Sequence, residues 1–226
     1  MKRPGIIILL VFALMIITCD DKKAVSNKPV IVCFGNSLTI GHGASIPKED
    51  DPENSYPSFL QKKINIPVIN AGVTGDTTGE ALARVNNHVL SKNPQVVIIE
   101  LGANDLFQMI LPSITQNNLQ KITDLLNDGS RKIYIAKFYT EEVARDLLSE
   151  IESDYDKQTA IIKIYDTMFE TLSESGNVEL IEDIWAGVWG IHMSDTIHPN
   201  AKGYEIMADN YFNALLPYLK ANGLLK

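Results

Sequence analysis

Cysteine is scarce in this chain. There are two, Cys19 and Cys33, in 226 residues. Neither they nor the four histidines fall at the short paired spacings of a zinc site, so no metal and no cofactor is expected. Basic charge is also short, with 20 Lys and Arg against 28 Asp and Glu. The resulting net charge of −8 argues against nucleic acid as a partner and offers no basic surface for anionic lipid. No apolar run approaches the ~20 residues of a membrane-spanning helix. The G-x-x-x-x-G-K-[ST] phosphate loop is missing, as are internal repeats, low-complexity tracts and any sign of a second domain.

The longest apolar run that is present, Ile6 to Ile17, follows Lys2 and Arg3 and stops beside Cys19. A positive start, a run of that length and an abrupt polar sequel describe a signal peptide over residues 1–18. Ile16-Ile17-Thr18-Cys19 resembles a bacterial lipobox, although Thr18 replaces the usual small residue before the cysteine. The resemblance implies lipidation at Cys19 and an exported lipoprotein anchored to a cell-envelope membrane. Without lipidation the same leader implies a secreted or periplasmic protein. Residues 19–28 then read as a lipid-anchored tether and residues 29–226 as one domain. Cys33 lies in an apolar strand pattern, as a small buried residue would.

Five short runs rich in Val and Ile alternate with helix-like stretches. Val30–Phe34, Val68–Asn70, Val96–Glu100, Lys132–Ala136 and Val178–Ile181 read as buried parallel strands, and Pro67 and Pro94 precede two of them. Between them, Tyr56–Ile64, Thr78–Leu90 and Ser113–Asn127 read as helices, the last with a stripe of Ile114, Asn118, Leu119, Ile122 and Leu126. The spacing of Ile161, Ile164, Tyr165, Met168 and Leu172 predicts another helix, closed by Ser175-Gly176-Asn177. Asn200–Leu216 carries Tyr204, Met207, Ala208, Tyr211 and Leu215 on one face, with Pro217 expected to stop or kink it. This alternation predicts a three-layer α/β/α, flavodoxin-like fold with a parallel sheet of about five strands.

Polar residues suited to acyl chemistry gather where such a fold collects its site, just past the strands. Ser37 follows the first strand in Gly35-Asn36-Ser37-Leu38, with Asn36 and Thr39 able to bond the local backbone. Alone, this is more often a turn with a capping serine. Asp195-Thr196-Ile197-His198 precedes the last helix, and a spacing of three can bring a carboxylate to one imidazole nitrogen while the other faces a nucleophile. Gly72, after the second strand, can offer an N–H to a developing oxyanion, and Asn104, after the third, a side-chain amide. Each could otherwise be plain turn chemistry. Asp105 is assigned to holding its loop. Trp185 and Trp189, within Ile184–Met193, either border an acyl pocket or pack beneath their loop.

Together these blocks resemble the SGNH/GDSL hydrolase superfamily, named for the Ser, Gly, Asn and His of its motifs. NAGVTGDTT, VVIIELGANDL and DTIHPNAKGY are similar to its secreted thioesterase, lysophospholipase and arylesterase branch. The resemblance spans roughly Val30 to Leu219 and implies a cofactor-independent serine esterase acting on a small acyl ester or lipid. Ser37 would be the nucleophile, His198 the base and Asp195 its orienting carboxylate. Ser37, Gly72 and Asn104 would form the oxyanion hole. A carbohydrate O-deacetylase of the same fold and a catalytically silent surface module are the alternatives. Asn36 departs from the aspartate common in the first block, and 141–189 matches poorly. His42, His88 and His192 match no catalytic position and are expected to be structural or superficial.

Overall fold

A computed structural model of the chain describes residues 29–149, 151–174 and 178–226. The leader, Cys19 and the closing Ser175-Gly176-Asn177 lie outside the described residues. Five strands form one parallel sheet: β1 (Ile31–Gly35), β2 (Val68–Gly72), β3 (Val96–Glu100), β4 (Lys132–Ala136) and β5 (Val178–Ile181), in the order β2-β1-β3-β4-β5. β1, β3 and most of β4 are buried on both faces, which explains their unbroken Val and Ile runs.

The helices are α1 (Ser37–Ile40), α2 (Tyr56–Gln61), α3 (Thr78–His88), α4 (Ala103–Phe107), α5 (Pro112–Leu126), α6 (Glu141–Ser149), α7 (Tyr155–Ser173) and α8 (Ala201–Ala221). α2 packs against α8, while α3, α5 and α7 pack in series, so helices flank the sheet in two groups. The three-layer expectation holds. Strand order reverses between β1 and β3, and their carboxyl ends open the crevice in which doubly wound folds place ligands.

Four local expectations need correction. Pro217 does not end the last helix, which runs on to Ala221. Pro217 and Asn213, the carbonyl it leaves unpaired, are exposed, while Leu215 and Leu219 continue the fully buried stripe. The freed carbonyl is on the solvent side of the helix, and burial of Leu219, worth ~1.5–3 kcal/mol, offsets the lost bond. α7 begins at Tyr155, six residues before the predicted stripe, because Asp154 caps it by accepting from the N–H groups of Asp156 and Lys157. Its buried face uses Ile162 and Phe169, while Ile164 is half exposed. In α5, Thr115 takes the inward place expected of Ile114, which is also half exposed. α6 was not predicted.

Candidate active site

Ser37 is the first residue of α1. Asn36 caps that short helix, its Oδ1 accepting from the Leu38 N–H at 3.0 Å. The hydroxyl of Ser37 lies 3.0 Å from His198 Nε2. On the other side of the ring, His198 Nδ1 lies 3.1 and 3.0 Å from the two oxygens of Asp195. Asp195 Oδ1 also accepts from the backbone N–H groups of Ile197 at 2.9 Å and His198 at 2.8 Å. This local turn fixes the carboxylate before it meets the ring.

The electrostatics follow from these contacts. Burial works to raise the Asp195 carboxyl, but the Ile197 N–H, the His198 ring and the His198 N–H together hold it below its ordinary value. Burial lowers the affinity of His198 for a proton, and Asp195 only partly offsets this. The imidazole is thus a neutral acceptor at neutral pH, as a general base must be.

Asn104 sits on α4 and donates from Nδ2 to the Asp76 carbonyl at 2.8 Å. An amide has two N–H donors, so one remains for the cavity that Asn104 lines with Ser37 and His198. Asp105, fully buried, accepts from Thr78 N at 2.8 Å and from the hydroxyls of Thr78 and Thr115, at 2.5 and 3.2 Å. It ties α4 to the starts of α3 and α5, the holding role expected of it.

Gly72 does not offer the donor expected of it. Its N–H is taken by Asn70 Oδ1 at 2.9 Å. The absence of a side chain serves packing instead, since a Cβ here would stand 2.3 Å from Ile40 N. The Asn70 amide meanwhile donates to Thr39 O at 2.8 Å, anchoring the helix that carries Ser37. In the loop that follows β2, Gly75 has φ +85°, and its N–H has no acceptor among the described residues.

Three residues of the site carry no functional role in the sequence reading. Arg84, from α3, donates to Asp76 at 2.5 Å, Ala71 O at 2.8 Å and Gly35 O at 2.9 Å, clamping the strand ends to the loop. Glu100, fully buried at the end of β3, accepts from Asn36 Nδ2 at 3.4 Å and Thr39 Oγ1 at 3.3 Å. Thr39 therefore bonds a buried carboxyl rather than the backbone. Burial pushes Glu100 up to about 8, against the hydrogen bonds from Thr39 and Asn36, so at neutral pH it is an uncharged acid beneath the turn that carries Ser37. His42, expected to be structural or superficial, has its ring edge-on to His198 with centroids 4.7 Å apart.

The cavity beside Ser37 is small, about 20 Å³, and its far walls are apolar: Phe138, Leu147, Trp185 and Trp189. Both tryptophans thus line the site and also pack. Trp185 donates to Phe138 O at 2.9 Å, and Trp189 to Asp146 of α6 at 2.8 Å. Beyond Phe138 and Leu147 lies a second apolar void of about 10 Å³ between α6 and α7.

A serine, a histidine and a carboxylate bonded in series, at the carboxyl edge of a doubly wound sheet, define a serine hydrolase. The model of the GDSL-like Lipase/Acylhydrolase family matches residues 33–206, and the chain belongs to that family. It is 26% identical over 217 residues to an arylesterase of Vibrio mimicus, covering 92% of this chain and 98% of the relative. To Esterase TesA of Pseudomonas aeruginosa it is 25% identical over 190 residues, 80% of this chain and 88% of the other. The crystal structure of the psychrotrophic esterase EstA from Pseudoalteromonas sp. shares the fold, with a TM-score of 0.67 at 23% identity, over 85% of this chain and all of that one. The chain is a serine ester hydrolase.

Proposed function

We propose that this esterase cleaves carboxylic esters of short acyl groups through an acyl-enzyme on Ser37. The 3.0 Å bond from Ser37 to His198, with Asp195 behind it, is the observation that carries this reading. His198 Nε2 takes the hydroxyl proton as Ser37 Oγ attacks the acyl carbon, and Asp195 stabilises the imidazolium. The oxyanion is received by the Ser37 N–H and the second N–H of Asn104. The loop donor expected at Gly72 falls instead to Gly75. His198 then protonates the leaving alcohol, and afterwards activates the water that frees the acid.

The small cavity supports the acyl preference. About 20 Å³ holds one water-sized group, which suits an acetyl methyl. On p-nitrophenyl esters from acetate to palmitate, kcat/KM is expected to fall by about tenfold or more between acetate and octanoate. Leu147 lines both the cavity and the void behind it, so Leu147→Ala should join them and move the optimum to longer chains. A wild-type optimum at octanoate or beyond would exclude the short-acyl reading.

The leader supports a lipoprotein. Lys2, Arg3 and the Ile6–Ile17 run direct export, Cys19 receives the lipid, and 20–28 is the tether between membrane and domain. Cys19→Ala is expected to leave the precursor uncleaved or to release the protein from membranes. The anchor is refuted if that variant is processed and partitions into detergent as the wild type does.

A further inference from the structure

The loop 41–51 follows the nucleophile helix and lies against the triad from the side. A Cβ on Gly43 would come within 2.3 Å of Ser194 Oγ and 3.2 Å of His198 Cβ, so the two loops are in close contact. Within this loop His42 Nδ1 is 2.8 Å from Asp50 Oδ1, and Asp50 Oδ1 also accepts from the Thr74 hydroxyl at 2.6 Å. The His42 carbonyl accepts from Tyr204 OH of α8 at 2.8 Å. His42 is therefore fixed at its ring, through Asp50, and at its backbone. Its ring meets His198 at 60°. Thr74 lies in the loop assigned the backbone oxyanion donor, so one carboxylate links that loop to the flank of the general base.

We propose that His42, held by Asp50, is a positioning residue for His198: the pair braces the imidazole edge-on and sets the electrostatic surroundings in which it works. This rests on the serine-hydrolase mechanism but adds a second His–Asp pair outside the triad. The titratable groups facing His42 are Asp50 from its own loop, His198 and behind it Asp195 from the triad loop, and Tyr204 from α8. A proton on His42 repels a second one on His198, whereas the Asp50 carboxylate favours it. The two partners thus push His198 in opposite directions.

That opposition makes the test sharp. His42→Gln keeps a donor for Asp50 but cannot take up a proton, so the carboxylate acts on His198 unopposed. The acid limb of kcat/KM, set by His198, should move to higher pH by about half to one unit. Asp50→Asn removes the negative charge and should move the limb the other way. His198 is followed separately by NMR of its ring nitrogens during a pH titration, which needs no turnover. Both residues are partly exposed, so neither substitution opens the core. Opposite shifts of His198 in the two variants support the proposal. Shifts of the same sign, or a His198 titration unmoved in both, overturn it. Opposite NMR shifts without matching movement of the acid limb would uphold the coupling and overturn the role of His198 as base.

Discussion

Ser37→Ala is expected to reduce ester turnover by about 10⁴-fold or more, to no more than a trace. In the proposed mechanism this hydroxyl forms the acyl bond, and no other described hydroxyl bonds to the His198 ring. Stability should barely change. Ser37 Oγ has one side-chain partner, and loss of a single hydrogen bond costs about 0.5–1.5 kcal/mol. Steady-state kinetics on p-nitrophenyl acetate, beside a thermal melt, check both halves. A folded variant with a tenth of wild-type activity would remove Ser37 from the mechanism.

Asn104→Ala should lower kcat by ~10²–10³, or roughly 3–4 kcal/mol, with little change in KM. The ester carbonyl carries little charge in the ground state, so the amide acts mainly as the oxyanion develops. The structure adds a complication and a way round it. Asn104 also donates to Asp76 O, so its side chain has one bond to the loop besides the one offered to the oxyanion. A loosened loop should show in KM and in the melt, whereas a lost donor shows in kcat alone. Asn104→Asp should be at least as slow, since a carboxylate donates nothing and repels the oxyanion. If Asn104→Ala stays within a fewfold of wild type, the amide only shapes its turn.

Much of this site is written locally, which is why the sequence discloses it. Strands buried on both faces need uninterrupted apolar runs, and β3 and β4 match their predicted limits. Asp195 and His198 meet through a turn of four residues, so their spacing was sufficient. Gly72 ends β2 and Gly75 lies in the loop that follows, and composition does not tell which N–H is free. The answer depends on Asn70, whose orientation comes from Thr39 and Ser55 on other elements. Arg84 and His42 likewise gain their roles only through contacts that folding creates. α6 is a different case, because its signal was present. Thr140 accepts from the Val143 N–H, and Val143, Ala144, Leu147 and Leu148 form its buried stripe. A nine-residue helix amid Glu, Arg and Asp is simply short for periodicity to stand out.

Glu100 gives the fold a proton-uptake signature. In the unfolded chain its carboxyl would ionise near 4.5, whereas in the native protein it holds its proton up to about 8. Between those values the native state binds more protons than the unfolded state at this position, so folding draws one from solution. The stability owed to this group is whole below about 4.5 and declines as pH rises through the window. Above about 8 the decline stops, with the carboxylate charged in both states. The charge then appears where Asn36 and Thr39 hold the turn around Ser37. Alkali therefore acts first on the support of the nucleophile, while the triad's own imidazole is already in its working form.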